Sequence, residues 1–150
     1  MSINIPETEV LAHIVSALQS ANITGLDPTT GQGIPVAVYN QVKQDAPVPY
    51  VRVGFTDTLN LEDEPFGYSF VPTAKQIHLM VDVFTDYEPS TLVIAAQIQA
   101  LLQHTEVTTP HFHGSTWLKS CDYFVDTATT PDRATRRASI RIQTTIEPQP

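Results

Sequence analysis

Apolar and polar residues alternate along this chain with two periods, and the switches between them outline its elements. Over residues 7–20, Val10, Leu11, Ile14, Ala17 and Leu18 follow the i, i+1, i+4, i+7, i+8 spacing of one helical stripe. Pro6 suits the first turn of that helix, where its missing N–H is no loss, and the Asn22 to Gly25 stretch supplies a stop. The run DPTTGQG predicts a loop over residues 26–35, with Gly31-Gln32-Gly33 as a flexible connection. A short β-prone run at 36–39 is broken by Asp45-Ala46-Pro47-Val48-Pro49. Val51, Val53 and Phe55 then alternate with Arg52 and Gly54, the period of a half-buried strand over 50–55. Residues 56–74 are uneven and carry Glu62-Asp63-Glu64, which predicts a hairpin or extended arm with a solvated acidic tip.

The second half is more regular. Residues 75–85 place Ile77, Leu79, Val81 and Val83 on one face and His78, Met80, Asp82 and Phe84 on the other, a strand whose second face is neither plainly wet nor plainly core. Residues 89–103 repeat the helical stripe with Ile94, Ala95, Ile98, Leu101 and Leu102. The back of this helix, with Val93, Ala96, Gln97, Ala100 and Gln103, is small and weakly polar, a surface suited to meeting another subunit. After a predicted loop at 105–114, residues 116–125 have strand character, with Trp117, Cys121, Tyr123 and Val125 in one phase and Leu118, Asp122 and Phe124 in the other. A turn at Thr129-Thr130-Pro131-Asp132 leads to a last strand with Ala138, Ile140, Ile142 and Ile146 facing one way and Arg137, Ser139, Arg141 and Gln143 the other, so that the final pair reads as a hairpin. The predicted order is α-β-β-β-α-β-β. This is an α+β fold, an antiparallel or mixed sheet with two helices on one face, in a single domain over residues 1–150 with long loops at about 26–35 and 57–74.

Composition narrows the function without naming one. The chain has 16 acidic against 8 basic residues, a formal charge of −8, which opposes affinity for nucleic acid. Its distribution is uneven: fifteen acids face four bases up to residue 132, and one acid faces four bases thereafter. The concentrated positive charge is Arg133, Arg136, Arg137 and Arg141. These arginines are expected either to pair across the sheet with Asp82 or Asp122, or to contact another subunit or DNA phosphates. One cysteine excludes an internal disulfide and a Cys₂His₂ or Cys₄ zinc site. No apolar run approaches the roughly 20 residues that span a bilayer. Glu7 and Glu9 stand where a secretory signal would carry bases, so synthesis and folding in the cytoplasm are expected.

Each candidate for chemistry has a stronger structural reading. Cys121 lies in an aromatic strand, where a thiol packs as a small hydrophobe. His111-Phe112-His113 places two imidazoles on one side of an extended segment, yet local spacing fixes no third metal ligand. Gly31-Gln32-Gly33 lacks the Lys-Ser/Thr of a phosphate-binding loop. No catalytic, cofactor or metal site is therefore expected.

Pro47-Val48-Pro49-Tyr50-Val51-Arg52-Val53-Gly54, preceded by the strand around Val38-Tyr39 and followed by an acidic loop, resembles the P-Y-V-x-hydrophobic-G element of the tail-completion (tail terminator) proteins of long-tailed, siphovirus-like bacteriophages. Ile77-His78-Leu79-Met80-Val81-Asp82-Val83-Phe84, leading into the 89–103 helix, is similar to that family's central strand and helix. Arg136-Arg137-Ala138-Ser139-Ile140-Arg141-Ile142 resembles its closing strand. The likeness spans about residues 7–146. It implies a non-enzymatic virion protein without cofactor, a homo-oligomer, commonly a hexameric ring, at the head-proximal end of the tail. Such a ring stops tube polymerisation, binds the tail-tube protein and the head–tail connector, and lets DNA pass unbound. Two other readings compete: a connector-side neck protein, and a small metal-dependent hydrolase using His111 and His113. For the ring, Arg133, Arg136, Arg137, Arg141, Val93, Gln97 and Ala100 are the expected subunit or partner contacts.

Overall fold

The computed structural model describes residues 5–40, 46–60, 74–126 and 135–150. In chain order the elements are α1 (Pro6–Ser20), β1 (Thr24–Leu26), β2 (Gly33–Pro35), β3 (Ala37–Tyr39), β4 (Tyr50–Asn60), β5 (Lys75–Thr85), α2 (Glu88–Leu102), β6 (His104–Thr108), β7 (Phe112–Asp126) and β8 (Thr135–Pro148). Six strands form one sheet in the order β3-β4-β5-β8-β7-β6. β3 runs parallel to β4 and every other neighbouring pair is antiparallel.

Strand alternation sends Val51 and Val53 of β4, Ile77, Leu79, Val81 and Val83 of β5, and Ala138, Ile140, Ile142 and Ile146 of β8 to one face, where all are buried. Both helices lie on that face, as the matching stripes predict. α1 delivers Val10, Ile14 and Leu18, and α2 delivers Ile94, Ala95, Ile98 and Leu102. Full burial of each large aliphatic residue stabilises the fold by about 1.5–3 kcal/mol. α1 has proline and Glu7 and Glu9 in its first turn, where negative charge meets the positive end of the helix dipole. It stops at Asn22, whose φ of 53° is the left-handed conformation that ends helices.

Four features depart from the sequence pattern. Residues 26–35 are not a plain loop: β1 and β2 pair as an antiparallel hairpin. Its tip is ordered by Asp27, which accepts the N–H of Thr29 on Oδ1 and that of Gly31 on its carbonyl. Nor is 105–114 a loop, since β6 follows α2 directly and pairs with the start of β7. β4 continues past Phe55 to Asn60 through a bulge at Thr56. A second bulge, at Lys119, shifts β7 by one residue and flips the side-chain phase. Trp117 therefore lies on the face opposite Cys121, Tyr123 and Val125, and the single phase expected for these four residues is broken. Near the start of β7, Gly114 faces the backbone of Thr145 and Ile146 so closely that a Cβ would overlap them. The turn at Thr129-Thr130-Pro131-Asp132 and the Glu62-Asp63-Glu64 run lie outside the described residues.

Candidate assembly surfaces

The second face of the sheet carries no helix among the described residues, and its side chains form rows across the strands. One row runs Tyr50, Phe84, Arg137, Phe124. Tyr50 stacks on Phe84 with centroids 5.0 Å apart and meets Tyr39 edge-on at 6.1 Å, while the Arg137 guanidinium lies over Phe124 at 4.7 Å. The next row runs Arg52, Asp82, Ser139, Asp122. Here Asp82 is only 3% exposed and receives a 2.8 Å hydrogen bond from Arg52 Nη2 on Oδ2. Its Oδ1 and the Nε of Arg137 are buried with no partner among the described residues. The following rows hold Met80 with Arg141 and Ser120, then Asp57, His78, Gln143 and Trp117. His104 stacks on Trp117 at 3.9 Å and extends the last of these onto β6.

Between the bulges at Thr56 and Lys119 the face hollows into a groove of about 440 Å³, lined by Asp57, His78, Met80, Lys119, Arg141 and Gln143 among others. His78 is held on both ring nitrogens, by Asp57 at 2.5 Å and Gln76 at 3.0 Å, and the Thr56 hydroxyl donates to the His78 carbonyl at 2.8 Å. Among the described residues that line the groove, the hydroxyl is that of Thr56, which is already engaged with backbone.

The arginines do not form one cluster. Arg137 and Arg141 share the open face, as alternation requires, but Arg136 points to the helix side, 4.0 Å from Glu88 at the start of α2. Arg133 lies outside the described residues. Of the two partners expected for Arg137 or Arg141, Asp82 is taken by Arg52 instead, because β4 directly flanks β5, and Asp122 makes no ion pair among the described residues. Arg52 was not singled out by the charge pattern. Its signal lay in the strand pattern, since a carboxylate in the middle of an apolar strand needs a cation on the neighbouring strand.

On α2, Val93 and Ala100 are exposed, as are Leu92, Ala96 and Leu101. Gln97 is engaged within the chain: its amide donates to the Thr24 carbonyl at 2.7 Å and accepts from the Thr24 N–H at 3.2 Å, fixing the β1–β2 hairpin against the helix. Ser90 completes the attachment by accepting from the Leu26 N–H at 2.9 Å. The exposed side of α2 continues onto β7 through Tyr123, where the Cys121 thiol and burial push the phenol above its ordinary value against the opposing hydrogen bond of Gln99.

His111 and His113 do not converge on a metal-binding group. Among the described residues no cluster of three His, Cys, Asp or Glu side chains exists. His111 instead fastens the β6–β7 turn to α1: its N–H and Nδ1 each lie 3.1 Å from a carboxylate oxygen of Glu9. Burial raises the Glu9 carboxyl, but hydrogen bonds from Thr109 and from the backbone and ring of His111 outweigh it and hold the group below its ordinary value. Glu7 is likewise held low, its burial outweighed by its own backbone N–H, the Lys75 ammonium and the Thr58 hydroxyl. Cys121 is half-buried on the helix face, where it packs against the core.

No protein-family model matches the chain, and no curated protein matches it in sequence. Among solved structures, the fold is similar to that of a chain in the "Virion of native gene transfer agent (GTA) particle", with a TM-score of 0.67 and 16% identity. The match covers 96% of this chain and 99% of that one, so the whole architecture is shared.

Proposed function

We propose that this chain is a structural virion protein of a phage-like particle, acting as a tail terminator: a ring subunit that caps the head-proximal end of the tail tube, stops its polymerisation and joins it to the head connector. The observation that carries the reading is the end-to-end fold likeness to a chain of a gene transfer agent virion, with almost nothing left over on either side. The motif resemblance at residues 47–54, 77–84 and 136–142 supports the same role.

Surface chemistry is consistent with it. A ring subunit needs two different surfaces that fit each other head to tail. Besides the strand edges that could supply them, this chain presents an α2 flank with exposed Leu92, Val93 and Leu101, which suits further contact within a particle. A net charge of −8 per subunit, summed around a ring, repels phosphates and lets duplex DNA pass without sticking. Affinity capture with purified partners tests the assignment: the terminator reading predicts binding to the tail-tube protein. Binding to the portal or adaptor protein with none to the tube would assign the chain to the connector side of the neck instead.

A further inference from the structure

The outer two of the four long strands, β4 and β7, are each only partly covered, and the uncovered stretches match. On one side, β3 pairs with residues 50–52 of β4, leaving residues 53–60 without a neighbouring strand among the described residues. On the other, β6 pairs with residues 113–117 of β7, and the Gln103 carbonyl takes the Leu118 N–H, leaving residues 119–126 likewise without a neighbouring strand among the described residues. The two free edges have the same length and lie at diagonally opposite corners of the sheet. Each carries side chains that a free edge normally avoids. Tyr123, Phe124 and Val125 are 51%, 45% and 53% exposed, and Phe55 and Leu59 are 46% and 53% exposed. Unpaired, apolar strand edges of this kind are templates for pairing with another chain.

We infer that the free edge of β7 in one copy pairs antiparallel with the free edge of β4 in the next, so that the sheet runs continuously from subunit to subunit. The inference deepens the ring role proposed above and rests on it. Two observations, the strand directions and the stagger, select a second copy of this chain as the occupant. β4 and β7 run in opposite directions in the sheet, so copies with a common strand orientation meet antiparallel. The contact is heterologous, which is the kind that closes into a ring. The stagger also fits closure. Through the ladders Asp122 lies level with Ser139, Asp82 and Arg52, so matching the two free edges moves each copy about four to five residues along the strands. That is about 15 Å over the roughly 19 Å width of four strands, a tilt of about 38°, within the range of roughly 35–45° over which sheets close.

Two double variants test the pairing: Tyr123→Lys/Val125→Lys on the β7 edge and Phe55→Lys/Leu59→Lys on the β4 edge, read by light scattering and circular dichroism. The wild-type chain should assemble, and each variant alone should be a folded monomer. An equimolar mixture should give a dimer and nothing larger, because it retains one intact β7 edge and one intact β4 edge; dimer formation also proves both variants folded. Wild-type protein that stays monomeric at every concentration, a variant that keeps the wild-type oligomer, or a mixture that stays monomeric would each overturn the inference. Oligomers built through these edges that leave tube growth unchecked would sink the terminator reading alone. Tube termination by a chain substituted at both edges would sink the edge pairing alone.

Discussion

Replacing Arg52 with alanine isolates the polar layer of the open sheet face. Asp82 is 3% exposed, and its one side-chain partner among the described residues is the Arg52 guanidinium 2.8 Å away, which also lies over Phe84 at 5.4 Å. At an effective dielectric constant of about 20 the gross attraction at this separation is about 6 kcal/mol, most of it offset by desolvation. Removing one partner of a fully buried pair costs about 3–5 kcal/mol. The Arg52 side chain is 46% exposed, so water replaces part of what is lost, and a destabilisation of about 2–3 kcal/mol is expected. For a chain of this size that lowers Tm by roughly 5–10 °C. Urea unfolding followed by circular dichroism at fixed subunit concentration measures it, and Arg52→Ala/Asp82→Asn should recover about 1–2 kcal/mol by removing the stranded charge. An Arg52→Ala variant within about 0.5 kcal/mol of wild type, or a double variant less stable than the single, would refute the reasoning.

Further expectations concern other parts of the molecule. Gly114→Ala forces a methyl into the Thr145–Ile146 backbone and should cost more than about 3 kcal/mol or prevent folding, seen as loss of soluble, cooperatively unfolding protein. Glu7 and Glu9 have folded-state values below their unfolded ones, so their contribution is present at neutral pH and is lost as pH falls through the folded values. Stability should therefore decline below about pH 4.5, and Glu7→Gln/Glu9→Gln should be less stable at pH 7 with a shallower acid decline in a pH series of urea melts. Arg137→Glu/Arg141→Glu should impair assembly or tube attachment more than folding. A large drop in monomer Tm, with no soluble fraction left to assemble, would instead mark these arginines as intramolecular supports.

The long, strongly periodic elements were legible in the sequence because burial enforces their period. β5 coincides with its predicted bounds, and both helices fall within a residue of theirs. What escaped has a physical pattern. β1, β2 and β6 are three to five residues long and bury one or no apolar side chain each, too little for a period to emerge. The bulges at Thr56 and Lys119 insert one residue and invert the phase, so Trp117 and Cys121 look aligned in the sequence and lie on opposite faces in the fold. The surfaces were legible only in part. Val93 and Ala100 are exposed as expected, but Gln97 is engaged by a hairpin that the sequence hid, and the arginine run divides between two faces because neighbouring strand residues must. The partly covered edges of β4 and β7 follow from the shortness of β3 and β6, and such pairing is non-local information that no window of sequence contains.

Electron microscopy of particles assembled without this protein tests the central claim most directly. The account predicts tails of unregulated length, and heads and tails left unjoined, with both defects repaired by adding the purified protein. Tails of normal length correctly joined to heads in its absence would contradict it.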